Sequence, residues 1–72
     1  HGVCFSPDGK RLASAHRSGE VCIWNVATGA CVHRWLAHQQ AAFSVQYHPT
    51  VDRLLTSGAD GQVLVWDLQN MP

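Results

Sequence analysis

The sequence lacks several features that would assign the chain to a common functional class. It has no net charge, with five basic and five acidic side chains among 72 residues, and it has no basic run. We therefore expect neither a membrane surface nor a nucleic acid as partner, because both attract clustered positive charge. No apolar stretch approaches the roughly 20 residues of a membrane-spanning helix. The three cysteines include no CxxC pair, which favours a reducing, intracellular location in the cytoplasm or the nucleus.

An internal repeat organises the chain. A shift of 42 positions aligns residues 3–26 with residues 45–68 without a gap, and seven positions are identical. The identical pairs include a turn glycine, Gly19/Gly61, and a tryptophan, Trp24/Trp66. A period of roughly 40–45 residues with four short strands in each unit is typical of a propeller blade.

Short β-branched and aromatic runs separated by turn residues predict seven strands and an all-β fold. The strands are predicted near residues 2–6, 11–16, 21–26, 31–36, 43–48, 53–58 and 62–68. The third strand of each unit is apolar at odd and even positions alike, which predicts burial on both faces. His33 and Arg34 make the fourth strand the most polar one, as expected for an outer edge.

The sequence resembles the WD-repeat family over essentially its whole length, which amounts to about 1.7 repeats. Leu-Ala-His at 36–38 stands in the place of that family's Gly-His corner, and Trp66-Asp67 matches its closing dipeptide. The resemblance implies part of a WD-repeat β-propeller, with a first blade at 1–36 and a corner loop plus an incomplete second blade at 37–72. We expect a piece of a longer protein, whose other blades come from the same chain or from self-association.

The resemblance also implies a buried hydrogen-bond relay that ties each blade together. In the second unit its members are Trp66, Thr56, His38 and Asp60. Buried indole and carboxylate groups need such partners, and a complete network makes a blade rigid. The first unit has a partial relay of Ser14 and Trp24, with Ser18 in place of the aspartate. Its histidine would precede residue 1, so we expect this unit to lack the full relay.

Two chemical alternatives use some of the same residues. His38 and Asp60 could form a catalytic triad with Thr56 or with the serine that follows it, but the relay already accounts for these residues and no Gly-x-Ser-x-Gly motif is present. Cys31, His33 and His38 could bind a metal ion, yet no fourth ligand stands at a usual spacing. We therefore expect no catalytic residue, no metal and no cofactor.

One rim of the implied propeller is a candidate surface for partners. In the family, the residue before the turn aspartate often faces the narrow surface where partners bind, and that residue is Arg17 in the first unit and Ala59 in the second. His16, Gln39 and Gln40 are expected on the same rim. Arginine is enriched in interface hot spots, and a solvated turn charge is the alternative interpretation of Arg17.

These expectations favour a non-catalytic scaffold or adaptor that binds other proteins through the rim. The alternatives are a propeller domain attached to an enzyme activity elsewhere in a longer chain, and a propeller associated with chromatin or nucleic acid, which would need a more basic rim. Both faces of the pair of blades should expose apolar strands. Residues 1–72 alone are therefore not expected to form a stable monomer.

Overall fold

The computed structural model describes residues 2–70, which form two antiparallel β-sheets. The elements are β1 (Val3–Phe5), β2 (Arg11–Ala15), β3 (Glu20–Asn25), β4 (Cys31–Leu36), β5 (Ala42–Tyr47), β6 (Arg53–Gly58), β7 (Val63–Asp67) and a 3-10 helix (Leu68–Asn70). The first sheet has the order β1-β2-β3-β4, and the second has the order β5-β6-β7. The predicted all-β class is therefore confirmed, and β4 lies at a sheet edge as the sequence indicates.

The strand bounds differ from the predicted ones by a residue at several ends. β1 and β7 are each one residue shorter at both ends than 2–6 and 62–68, and β2 ends one residue before His16. β3 and β5 each lie one residue earlier than 21–26 and 43–48. Strand pairing and the following helix explain some of these limits. Ala42 pairs with Gly58 on β6 and is therefore part of β5, and β7 ends where the 3-10 helix begins at Leu68.

The two sheets repeat the same register. Trp24 on β3 lies opposite Leu12 on β2, and Trp66 on β7 lies opposite Leu54 on β6. The 3-10 helix follows the second of these strand pairs, and no helix among residues 2–70 is long and apolar enough to cross a membrane. Each repeat of the sequence therefore forms one sheet with its tryptophan at the same place.

The hydrophobic core lies between the two sheets. Its buried members are Ala13, Ala15, Val21, Ile23, Ala37, Ala42, Val45, Tyr47, Leu54 and Leu68. At the border of this core, the rings of Trp35 and Trp66 meet edge to face with their centroids 5.5 Å apart. The alanines of β2 add little side-chain bulk at the centre, and the two aromatic rings fill the space toward the outer strands.

One face of each sheet packs against the other sheet, and the opposite face of each sheet is exposed to solvent. Val3 and Phe5 are 69% and 59% exposed on the first sheet, and Val63 and Val65 are 67% and 65% exposed on the second. Burial of the third strand on both faces is found in β3, where Cys22 and its neighbours are buried. The outer face of β7 is exposed, as expected for a pair of blades with apolar outer faces, because no further sheet covers it within residues 2–70. That the isolated chain is not a stable monomer stays a prediction.

Candidate functional site

The four relay residues of the second repeat lie in one chain of hydrogen bonds. The Nε1–H of Trp66 on β7 donates to Thr56 Oγ1 on β6 at 3.0 Å, and that oxygen lies 2.8 Å from His38 Nε2. His38 Nδ1 lies 3.0 and 3.1 Å from the two carboxylate oxygens of Asp60. Because His38 belongs to the β4–β5 loop and Asp60 to the β6–β7 turn, the relay connects the interior of the sheet with two surface segments.

Burial constrains how protons are placed along this relay. His38 is 2% exposed and Thr56 is 0% exposed, so water cannot replace their partners. The indole nitrogen of Trp66 only donates, so Thr56 Oγ1 accepts from it and can give its own hydrogen to His38 Nε2. The Nδ1–H of His38 then donates to Asp60. When the hydrogen bonds run in this direction, every polar group of the relay has a partner. The imidazole of His38 then carries one proton, on Nδ1.

Asp60 joins the loop after β4 to the β6–β7 turn. Its Oδ2 accepts the backbone N–H of Gln39 at 3.2 Å, and its Oδ1 accepts the backbone N–H of Gln62 at 3.1 Å. Burial acts to raise the pKa of Asp60, but hydrogen bonds from Gln62, His38 and Gln39 outweigh it, so the pKa lies below its ordinary value. The carboxylate is therefore ionised at neutral pH and holds both segments.

Three segments form one continuous surface, which we call the rim: residues 16–19, 37–41 and 58–61. The N–H groups of Ala37 and His38 both donate to Gly19 O at 3.1 Å, and the N–H of Ala59 donates to Ala41 O at 2.8 Å. These bonds connect the first sheet to the second across the corner loop. The exposed side chains of the rim include Arg17, Gln39, Gln40 and Ala59.

Two glycines allow the rim segments to approach this closely. A Cβ on Gly58 would lie 2.6 Å from the ring atom Cγ of His38, and a Cβ on Gly19 would overlap the backbone oxygen of His38. Gly19 also has a φ of +91°, in the left-handed region where a side chain is strained. The corner histidine therefore depends on a residue without a side chain at position 58.

The first sheet contains a shorter set of bonds that includes His16. Trp24 Nε1–H donates to Ser14 Oγ at 2.8 Å, and this oxygen lies 2.7 Å from His16 Nε2. His16 is half-buried, so its ring points inward instead of lying fully on the rim. Ser18, at the position equivalent to the aspartate, bonds instead to Glu20 at 3.3 Å. The equivalent of His16 in the second repeat is Gly58. The second repeat leaves this position without a side chain, and His38 from the corner loop packs against it. In the first repeat the side chain of His16 itself bonds to the strand-two serine.

The sequence contains a signal for this role of His16, although the family resemblance places the residue on the rim. Ser14 and His16 are two positions apart at the end of a strand, and such residues lie on the same face. The alignment of the repeats pairs His16 with Gly58. What the alignment does not give is the direction in which the imidazole turns at the end of β2.

The residues of the catalytic alternative are not arranged as an accessible triad. Thr56 is fully buried, and its hydroxyl is already engaged by Trp66 and His38. The serine that follows it, Ser57, lies 2.7 Å from Ser44 Oγ and is not bonded to His38. A nucleophile needs an open approach for its substrate, and the geometry offers none at Thr56.

The residues of the metal alternative are also engaged elsewhere. Cys31 Sγ donates to the backbone oxygen of His33 at 3.3 Å, and both ring nitrogens of His38 have partners in the relay. Among residues 2–70 no group of three His, Cys, Asp or Glu side chains is placed to hold a metal ion.

Comparison with known proteins connects this geometry to a family. Residues 1–50 match the family model of the anaphase-promoting complex subunit 4 WD40 domain. The chain belongs to the WD40 repeat family. The resemblance seen in the corner and closing motifs is thereby confirmed, and the two sheets can be called blades.

Related proteins and structures are much longer than this chain. The activating molecule in BECN1-regulated autophagy protein 1B of Danio rerio is 40% identical over 67 residues, which are 92% of this chain and 5% of that protein. The periodic tryptophan protein 2 homolog of Dictyostelium discoideum is 32% identical over 68 residues, 92% of this chain and 7% of that protein. The crystal structure of RRP9 WD40 repeats matches with a TM-score of 0.88 and 26% identity, over 94% of this chain and 21% of that one.

Proposed function

We propose that these blades act as a non-catalytic scaffold that binds other proteins through the rim. The observation that carries the proposal is the fixation of the three rim segments by Asp60, His38 and the carbonyl of Gly19. A surface that is ordered before binding loses little conformational entropy on association. The rim therefore presents its exposed side chains at low cost to a partner.

The side chains of the rim suit a polar contact with one cationic anchor. Arg17 is exposed and has no ion-pair partner within residues 2–70. Its guanidinium can donate to carboxylates or backbone carbonyls of a partner, and the amides of Gln39 and Gln40 can both donate and accept. The small side chain of Ala59 leaves space beside these residues. We propose a protein partner whose contact region has acceptors opposite Arg17.

The relatives support a scaffold without naming the partner of this chain. The names of these relatives refer to autophagy in one case and to a periodic tryptophan protein in another. These names belong to proteins of which the chain covers 5% and 7%. The buried position of Thr56 supports the non-catalytic part of the proposal, because the hydroxyl bonded to the His38–Asp60 pair lies inside the blade.

The proposal is tested by site-specific photo-crosslinking in the protein that carries this chain. A photoreactive amino acid is placed at Arg17 or at Gln39, and at Thr28 in the β3–β4 turn as the control, since all three positions are exposed. We expect protein adducts from Arg17 and Gln39 that are absent from Thr28. A second variant, Arg17→Glu, should reduce the adducts formed from Gln39. Equal labelling at the three positions, or no adduct from the rim, would contradict the proposal.

A further inference from the structure

The first blade contains the inner part of a relay but not its anionic end. Trp24 Nε1–H donates to Ser14 Oγ at 2.8 Å, and this oxygen lies 2.7 Å from His16 Nε2. In the second blade the same order of groups continues from the imidazole to the carboxylate of Asp60. The position of Asp60 is held in the first blade by Ser18. The relay of the first blade therefore ends at an imidazole.

The imidazole of His16 takes the place that the corner histidine has in the second blade. His16 is equivalent to Gly58 in the alignment of the repeats. A Cβ on Gly58 would lie 2.6 Å from Cγ and 2.7 Å from Nδ1 of His38. A histidine side chain that begins at this position therefore has its ring in the region where the ring of His38 lies. Both rings contact the strand-two hydroxyl through Nε2.

The outer nitrogen of His16 is a donor without a partner in the chain. The indole nitrogen of Trp24 only donates, so Ser14 Oγ accepts from it and can give its own hydrogen to His16 Nε2. The imidazole proton then lies on Nδ1. Within residues 2–70 the structure shows no hydrogen bond from this Nδ1. In the second blade the equivalent nitrogen is bonded to a carboxylate.

Two more donors belong to the turn that follows His16. The backbone N–H of Glu20 is equivalent to the N–H that donates to the aspartate of the second blade at 3.1 Å, but it donates to Ser18 Oγ at the longer distance of 3.4 Å. Arg17 is exposed and has no ion-pair partner among residues 2–70. A neutral hydroxyl is a weaker acceptor than a carboxylate. The turn therefore combines donors and a positive charge at the position where the second blade has an anion.

The carboxylate of Glu20 does not take the place of that anion. Both of its oxygens are bonded to Arg34 on β4, to Nε at 2.7 Å and to Nη2 at 3.1 Å. This ion pair has no net charge, so Arg17 gives the turn its net positive charge. An anion that approaches the turn from solvent is therefore favoured over a cation.

We propose that the rim binds an aspartate or glutamate side chain of a partner protein next to Ser18, and that this carboxylate completes the relay of the first blade. The inference rests on the proposed function, because it names the anchor by which the rim holds its partner. One carboxylate oxygen accepts the Nδ1–H of His16, as Asp60 does from the corner histidine. The guanidinium of Arg17 donates to the other oxygen. His16 is thus a binding residue of the rim as well as a member of the relay.

The first test supplies the missing carboxylate from within the chain. Ser18→Asp places an anion near His16 and Arg17, where it competes with the carboxylate of the partner, and Ser18→Asn has nearly the same shape without the charge. Photo-crosslinking from Gln39, in the protein that carries this chain, measures partner binding. We expect Ser18→Asp to reduce the adducts about tenfold more than Ser18→Asn does. The control is Thr28→Asp in the exposed β3–β4 turn, which changes the net charge equally and should leave the adducts unchanged.

The second test identifies the group on the partner's side. Random peptides displayed on phage are selected against the protein that carries this chain, and fluorescence polarisation measures the affinity of the enriched peptides. We expect these peptides to contain Asp or Glu. Replacing that residue by Asn or Gln should weaken binding to the wild type about tenfold, and should weaken binding to His16→Ala or Ser18→Asp by less than about twofold.

The outcomes separate this inference from the proposed function. Adducts from Gln39 that respond equally to Ser18→Asp and Ser18→Asn would overturn the inference and leave the rim as a binding surface. Adducts from neither Arg17 nor Gln39 would contradict the proposed function and the inference together. Enriched peptides without an acidic residue overturn the inference alone. The same holds for acidic peptides whose neutral versions lose as much affinity for His16→Ala as for the wild type.

Discussion

Replacing Thr56 by valine should destabilise the second blade out of proportion to the atoms removed. The two side chains have nearly the same shape, so packing is kept, but the hydroxyl that connects Trp66 and His38 is lost. His38 is 2% exposed, and among residues 2–70 its Nε2 is bonded to Thr56 alone. Each buried polar group left unpaired costs about 1–3 kcal/mol. With two groups affected, we expect a loss of about 2–6 kcal/mol in the free energy of unfolding.

Urea unfolding followed by tryptophan fluorescence measures this loss in the protein that carries the chain. The matched control is Thr56→Ser, which keeps the hydroxyl and removes one methyl group at a cost of about 1 kcal/mol. We expect the valine variant to be the less stable of the two. If valine is tolerated as well as or better than serine, the hydroxyl of Thr56 does not hold the blade together.

Three further predictions concern the surroundings of the relay. Gly58→Ala should cost about 1–3 kcal/mol of stability, because the new Cβ would lie 2.6 Å from the ring of His38; the same substitution should cost less in a His38→Ala background, and equal losses in the two backgrounds would contradict the clash. The lowered pKa of Asp60 contributes stability that is present above the ordinary value of 3.8 and is lost as the pH falls through the lower folded value. The difference in urea midpoint between wild type and Asp60→Asn should therefore shrink below pH 3.8, and a difference independent of pH would refute this. His16→Ala should weaken the first blade by about 1–3 kcal/mol, because Ser14 loses a hydrogen-bond partner. Thermal unfolding with no change in His16→Ala would show that this bond contributes nothing.

Most of the fold follows from the repeat in the sequence. The equivalence of Trp24 and Trp66 places the third strand of each blade, and the turn glycines place the reversals between strands. The relay residues follow from the resemblance to the WD-repeat family, and the structure brings His38 and Asp60 within hydrogen-bonding distance. Local sequence was sufficient for these features because neighbouring strands are also neighbours in the chain.

What the sequence did not reveal depends on contacts between the blades and on side-chain direction. The repeat predicted burial for both third strands, but Val63 and Val65 are exposed because burial depends on a neighbouring sheet and not on the strand itself. A cleft between the β1–β2 and β5–β6 turns arises from the packing of two segments that are far apart in the chain, and no periodicity encodes such a contact. The inward turn of His16 similarly depends on a rotamer at the end of β2.

Hydrogen exchange of the rim tests most directly the central claim, that the relay holds the binding surface in place. Mass spectrometry compares wild type with Thr56→Val in the protein that carries this chain, under conditions where both remain folded. We expect faster exchange of backbone amides in residues 37–41 and 58–62, with unchanged exchange in the opposite turns, residues 7–10 and 49–52. Unchanged exchange of the rim, or equal acceleration at both ends of the blades, would contradict it.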